Sequence, residues 1–234
     1  MMDIRKTDAA FMKIFDNFLQ NDVKNEEHAM LDDKTRMIAV LAVLIGCQGR
    51  EAFGEEVRNA LKAGVTPVEI KEIVYQSAAY MGYGRMIPFL YKTNEIFEEE
   101  GIKLPIKDQA TVTDDTRLEA GNQKQVDIFG EGMKDFYKKG NEKTRHINKW
   151  LAANCFGDYY TRDGLDDKTR EMITFCFLAG QGGCEPQLTS HAAGNMGIGN
   201  DRGFLIRMVS QCLPYIGYPR SLNALECIKK AAEK

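Results

Sequence analysis

Three side chains in the second half of the chain have the types and spacing for proton or thiol chemistry: Glu171, Cys184 and His191. Imidazole donates and accepts protons near neutral pH, which makes His191 the candidate general acid/base. Cys184 stands seven residues before it. On one shared helix, seven residues are two turns, so thiol and imidazole would share a face roughly 10 Å apart along the axis. Pro186 suits a first-turn position, so this helix is expected to start at Cys184 or Glu185. A thiol there would meet the positive end of the helix dipole, which lowers its pKa and favours the nucleophilic thiolate. The other reading of the same cysteine is a small buried hydrophobe. Glu171 borders an uncharged run, either as a carboxylate drawn into apolar surroundings with a raised pKa or as a helix-start charge facing water. No H-x-x-H, H-E-x-x-H or C-x-x-C spacing occurs, so neither a metal nor a cofactor is expected.

The elements that must hold these groups are written twice. Leu31-Asp-Asp-Lys-Thr-Arg36 recurs letter for letter as Leu165–Arg170, and Gln76-x3-Tyr80-x-Gly82-Tyr83-x-Arg85 recurs as Gln211-x3-Tyr215-x-Gly217-Tyr218-x-Arg220. The two matches differ in offset by one residue, which a single insertion explains; the chain is a tandem duplication. In each copy an Asp suited to an N-cap (Asp32, Asp166) precedes a run without charge, Met37–Cys47 and Met172–Cys184. Such runs predict a buried central helix, too short for a membrane span. Thr66-Pro67-Val68-Glu69 has the form of a capping box, and Ile87–Glu100 predicts an amphipathic helix stopped by Gly101. Gly101–Pro105 and the polar stretch to Thr116 predict a linker. The division expected is 1–104, a linker over 105–120, and 121–234, all-α throughout.

Arginines recur at equal places in the copies. Arg170 and Arg220 can grip a substrate carboxylate bidentately, with Tyr215 as a third substrate-binding candidate. For Arg36 and Arg170 a salt bridge between helices is the favoured reading. Gln76/Tyr80 and Gln211/Tyr215 share faces at i, i+4 spacing and favour packing and helix–helix hydrogen bonds over catalysis. His28 and His146 sit among charged neighbours as surface residues.

The 31 Lys and Arg against 34 Asp and Glu leave a net charge of −3, without the basic excess of a nucleic-acid protein. At 44% apolar and 28% charged residues the chain suits a globular protein, not a disordered one. No membrane-length apolar segment or leader is expected. Six scattered cysteines fit a reducing cytoplasm better than a disulfide framework.

The Leu-Asp-x-Lys-Thr-Arg helix, the apolar run, the histidine about twenty residues on and Gln-x3-Tyr-x-Gly together resemble the carboxymuconolactone decarboxylase family, which shares its helical fold with alkylhydroperoxidase D. Copy two is the closer match: Gly121–Gly130 and Phe156–Leu165 resemble segments upstream of the same helix in the decarboxylase. The resemblance implies two tandem repeats of that fold and decarboxylation of a small carboxylated lactone or related acid, with His191 as proton donor. It also implies a homo-oligomer, a trimer first, since a fused pair needs half the chains of a single-copy member. In the family's redox branch the cysteine pair stands seven and four residues before the histidine. Here those places hold Cys184 and Gln187, so the thiol peroxidase alternative lacks its resolving thiol. Glu171 lies near that branch's proton-relaying glutamate. Copy one has Glu56 in place of the histidine and Met37 in place of Glu171, which implies an altered pocket or a non-catalytic scaffold.

Overall fold

The structure, a computed structural model, describes residues 3–233, and among these no strand forms. After one turn, α1 (Ile4–Thr7), copy one runs through α2 (Ala9–Asn17), which continues into a π-helical stretch Phe18–Val23, then α3 (Asp33–Cys47), α4 (Arg50–Lys62), α5 (Pro67–Met81) and α6 (Tyr83–Glu99). Copy two begins with α7 (Arg117–Phe129) and α8 (Arg145–Trp150), which passes into a second π-helical stretch, Leu151–Tyr160. It ends with α9 (Asp167–Gln181), α10 (Glu185–Gly197) and α11 (Arg202–Ala232).

The local signals set these ends. Asp32 and Asp166 accept the backbone N–H of Thr35 and Thr169 at 2.9 and 2.8 Å, capping α3 and α9. At α5 both bonds of the capping box form, Thr66 N–H to Glu69 and Glu69 N–H to Thr66. Gly82 (φ 74°) separates α5 from α6, and Gly217 (φ 75°) breaks α11 at the matching place. These signs of φ suit glycine. The helix expected over Ile87–Glu100 therefore starts a turn earlier, at Tyr83, and runs through Pro88, which forfeits one helical bond.

The expected linker is also corrected. Residues 117–120 already belong to α7, and the extended stretch before it is tied to copy two. Thr111 Oγ1 donates to Thr161 O (2.6 Å), Asp163 N–H to Gln109 O (2.9 Å), and Arg162 pairs with Asp108. Polar composition alone could not reveal those partners.

The copies share one apolar core. α3 and α9 are its spine, buried from Met37 to Gly46 and from Arg170 to Gly180. They cross where Gly46 faces Gly180. A Cβ on Gly46 would lie 2.5 Å from the carbonyl of Phe177, and one on Gly180 would lie 2.6 Å from that of Val43. Val43 and Phe177 are themselves equal positions of the repeat, so the contact is reciprocal, as in an isologous interface. Any side chain at either glycine pushes the spine apart.

Candidate active site

The close crossing of α3 and α9 sets the second copy's chemistry against the first copy's α5. Glu171 is fully buried one turn into α9, and His191 reaches it from the middle of α10. The reversal between them uses Gly182 and Gly183, both at positive φ. His191 Nδ1 lies 2.9 Å from Glu171 Oε2. Asn195, also on α10 and fully buried, donates to the backbone carbonyls of both Glu171 and His191, at 3.0 and 2.8 Å, and so fixes the two helices in register. Gly194 is what lets them close. A Cβ there would stand 2.9 Å from Glu171 Oε2 and 2.7 Å from the ring of Phe129.

The direction of the hydrogen bonds follows from the partners. Tyr160 Oη donates to Glu171 Oε1 at 2.6 Å. Burial holds the Tyr80 and Tyr160 phenols well above their ordinary pKa, so both remain donors. Tyr160 spends its single proton on Glu171. The 3.0 Å contact between the phenols is therefore a donation from Tyr80 to Tyr160, and the S–H of Cys155 in turn donates to Tyr80 at 3.6 Å. Thr174 Oγ1 accepts from Gln76 (2.9 Å), which leaves its own proton for Tyr160 at 2.7 Å. A converging series of donors thus keeps Glu171 an acceptor. Nδ1–H of His191 points to it, and Nε2 is left for a ligand.

His191 stands on the wall of a cavity of about 860 Å³. The rings of Tyr80 and Phe129 meet the imidazole edge-on, at centroid distances of 5.6 and 5.4 Å. Leu151, Cys155, Phe156, Leu178 and Cys184 also line the cavity, and the amides of Gln125, Gln181 and Gln187 and the hydroxyl of Ser190 add polar groups. No Lys or Arg lines this cavity. Among the described residues no cluster of three or more His, Cys, Asp and Glu gathers for an ion.

The structure thus brings His191 and Cys184 to one cavity, with Glu171 buried behind His191, but separates the three substrate-binding candidates from it. Arg170 is corrected from substrate ligand to core residue. It is fully buried, and its two terminal nitrogens are spent on Glu72 (3.1 Å), Gln76 (2.8 Å) and the carbonyls of Arg162 and Asp163. Arg36 does not repeat this pairing and bonds Asp33 of its own helix at 3.1 Å. At the place matching Glu72, copy two carries Arg207, so no carboxylate waits there. Arg220 donates to the carbonyl of Gly180 and closes off α9. Tyr215 donates to Glu56 at 2.9 Å. That bond joins the copy-one counterpart of His191 to the copy-two counterpart of Tyr80.

Tyr80 makes the helix–helix contacts that its spacing favours, and it also lines the cavity. Its recurrence as Tyr215 was the available signal. Gln125, Phe129 and Tyr160 lie in Gly121–Gly130 and Phe156–Leu165, the segments that resemble the decarboxylase, but no spacing marks them individually.

Cys184 is corrected in its electrostatics. It is the N-cap of α10, but burial raises its pKa instead of the helix end lowering it, and its S–H is directed to Leu178 O at 3.5 Å. Cys155, in the same cavity, is pushed up to about 12. All six cysteines are free. Both cavity thiols are therefore protonated at neutral pH. Iodoacetamide at pH 7 is expected to label them slowly, with the rate rising as pH increases. Rapid loss of one thiol to peroxide at pH 7, counted by mass spectrometry, would contradict this.

A family model described as the carboxymuconolactone decarboxylase family matches residues 9–90 and 146–230 of the chain. No curated protein matches it. No helix among the described residues is long and apolar enough to cross a membrane.

Proposed function

The chain belongs to the carboxymuconolactone decarboxylase family, and on that premise we propose that it is a proton-transferring enzyme of the decarboxylase kind, acting on a small carboxylated lactone or related acid. One observation carries the reading: an imidazole held by a buried carboxylate, 2.9 Å away, on the wall of a largely apolar cavity. The reaction balances as follows. The bond from the substrate carbon to its carboxylate breaks and CO2 leaves. The electron pair passes into the adjacent carbonyl group as an enolate, and protonated His191 returns the Nε2 proton to the carbon. Glu171 steadies the imidazolium before the transfer and orients the neutral ring after it. An apolar wall keeps water from competing as the proton donor.

Peroxidase chemistry through Cys184 is the less supported alternative, because a protonated thiol is a poor nucleophile. A homo-trimer goes with the proposal; Tyr83, Tyr91, Tyr218 and Leu222 are exposed apolar side chains that a second chain would cover.

The test is CO2 release from a panel of carboxylated lactones and 3-oxo acids in D2O. The expected result is release from at least one compound, with one deuterium at the carbon that lost the carboxylate. Neither release nor deuterium incorporation from any of them would overturn the proposal.

A further inference from the structure

Among the polar groups of the cavity that this reaction has not used, Gln125 is the most deeply buried. It lies on α7, outside both segments matched by the family model, and is 1% exposed. Its orientation is fixed by its neighbours. Asp135 N–H donates to Asn122 Oδ1 at 3.0 Å, and Asn122 Nδ2 donates to Met133 O at 2.9 Å, so which end of the Asn122 amide is nitrogen is fixed. That nitrogen also lies 3.4 Å from Gln125 Oε1, which must therefore be the oxygen. Gln125 Nε2 is left buried with no hydrogen-bond partner among the described residues. Buried amide donors are almost always paired, and an unpaired one on the wall of a cavity marks the place of a ligand acceptor. Gln125 is one turn before Phe129, whose ring borders His191, and both Gln125 and His191 line the same cavity, with Nε2 just beneath its surface.

We propose that Gln125 Nε2 donates to the carbonyl oxygen of the substrate, beside the carbon that His191 protonates, and holds that oxygen as it becomes an enolate. The inference rests on the proton-transfer reading above and narrows its substrate class. What the cavity recognises at this point is a lactone or ketone carbonyl, neutral in the ground state. With no Lys or Arg on the wall, a carboxylate placed at this point would be desolvated against a neutral amide, the imidazolium being engaged with the reacting carbon. A donor aimed where negative charge develops gains strength as the charge forms.

The test uses two monoanions of one ring size: cyclohexane-1,3-dione, ionised to its enolate at neutral pH, and cyclohexanecarboxylate. Titration calorimetry on the full chain is expected to show the enolate bound at least 10-fold tighter than the carboxylate. Gln125→Met and Gln125→Leu should each weaken the enolate at least 10-fold without lowering the midpoint of thermal unfolding, because they remove an unpaired donor and give up only the 3.4 Å contact with Asn122. His191→Gln should retain enolate binding within a few-fold. That separates the two ideas: if no compound releases CO2 while enolate binding still depends on Gln125, the reaction assigned above fails and the donor site stands. Equal enolate affinity in wild type and both Gln125 variants, or tighter binding of the carboxylate, overturns the proposal.

Discussion

His191→Gln is expected to cut turnover of any substrate found by roughly 10²–10⁴-fold, the usual contribution of a positioned general acid or base. KM should move much less, because Gln125 and the apolar walls that hold the ligand are untouched. Glutamine fits the space and can still donate to Glu171, so Glu171 does not lose its partner, while the group that exchanges a proton is gone. The far-ultraviolet circular dichroism should be unchanged. Glu171→Gln is expected to act in the same direction. A neutral amide cannot steady the imidazolium, and it removes the acceptor that holds Nδ1–H in place. Steady-state kinetics of both variants check this. Full activity in His191→Gln would leave the cavity without its acid/base and remove the proposed mechanism.

The largest effect on stability is expected at Arg170. Its guanidinium joins α9 to Glu72 and Gln76 of α5 in the first copy and to the carbonyls of Arg162 and Asp163, with no exposure to water. Arg170→Met takes the charge away from Glu72, which is itself 1% exposed, and strands several acceptors. Breaking a buried pair from one side costs about 3–5 kcal/mol. Glu72 keeps Arg162 at 3.0 Å, which places the expectation at the lower end of that range. At roughly 2–4 °C per kcal/mol for a chain of this size, the unfolding midpoint should fall by on the order of 10 °C. Arg170→Lys should recover part of the loss, since one charge returns to Glu72 but the fork of donors does not. Calorimetry of the two variants reads both numbers. An Arg170→Met protein as stable as the parent would mean that the pair contributes nothing net.

What the sequence determined by itself is what is encoded over a few neighbouring residues. The caps at Asp32 and Asp166, the Thr66–Glu69 box and the stop at Gly101 each depend on bonds between residues three or four apart, or on a single φ. The uncharged runs declared themselves as a buried spine because no helix leaves eleven apolar residues in water. The seven-residue step from Cys184 to His191 was legible because it spans only two turns of one helix.

Only the tertiary structure decided which of these groups meet. Tyr80 belongs to the first copy and serves the second copy's cavity because α3 and α9 cross at two glycines, within reach of each other's carbonyls. Gln76 and Thr174, in hydrogen bond, are 98 residues apart, and Tyr215 and Glu56 are 159 apart; no local pattern states such pairings. The same crossing took Arg170 out of reach of any ligand and made it a core ion pair. The thiol of Cys184 was misjudged because helix position fixes only the dipole, whereas burial by the rest of the fold outweighs it. Gln125 was invisible for a related reason: an amide becomes an unpaired donor only when the surrounding chain uses up its neighbours and excludes water.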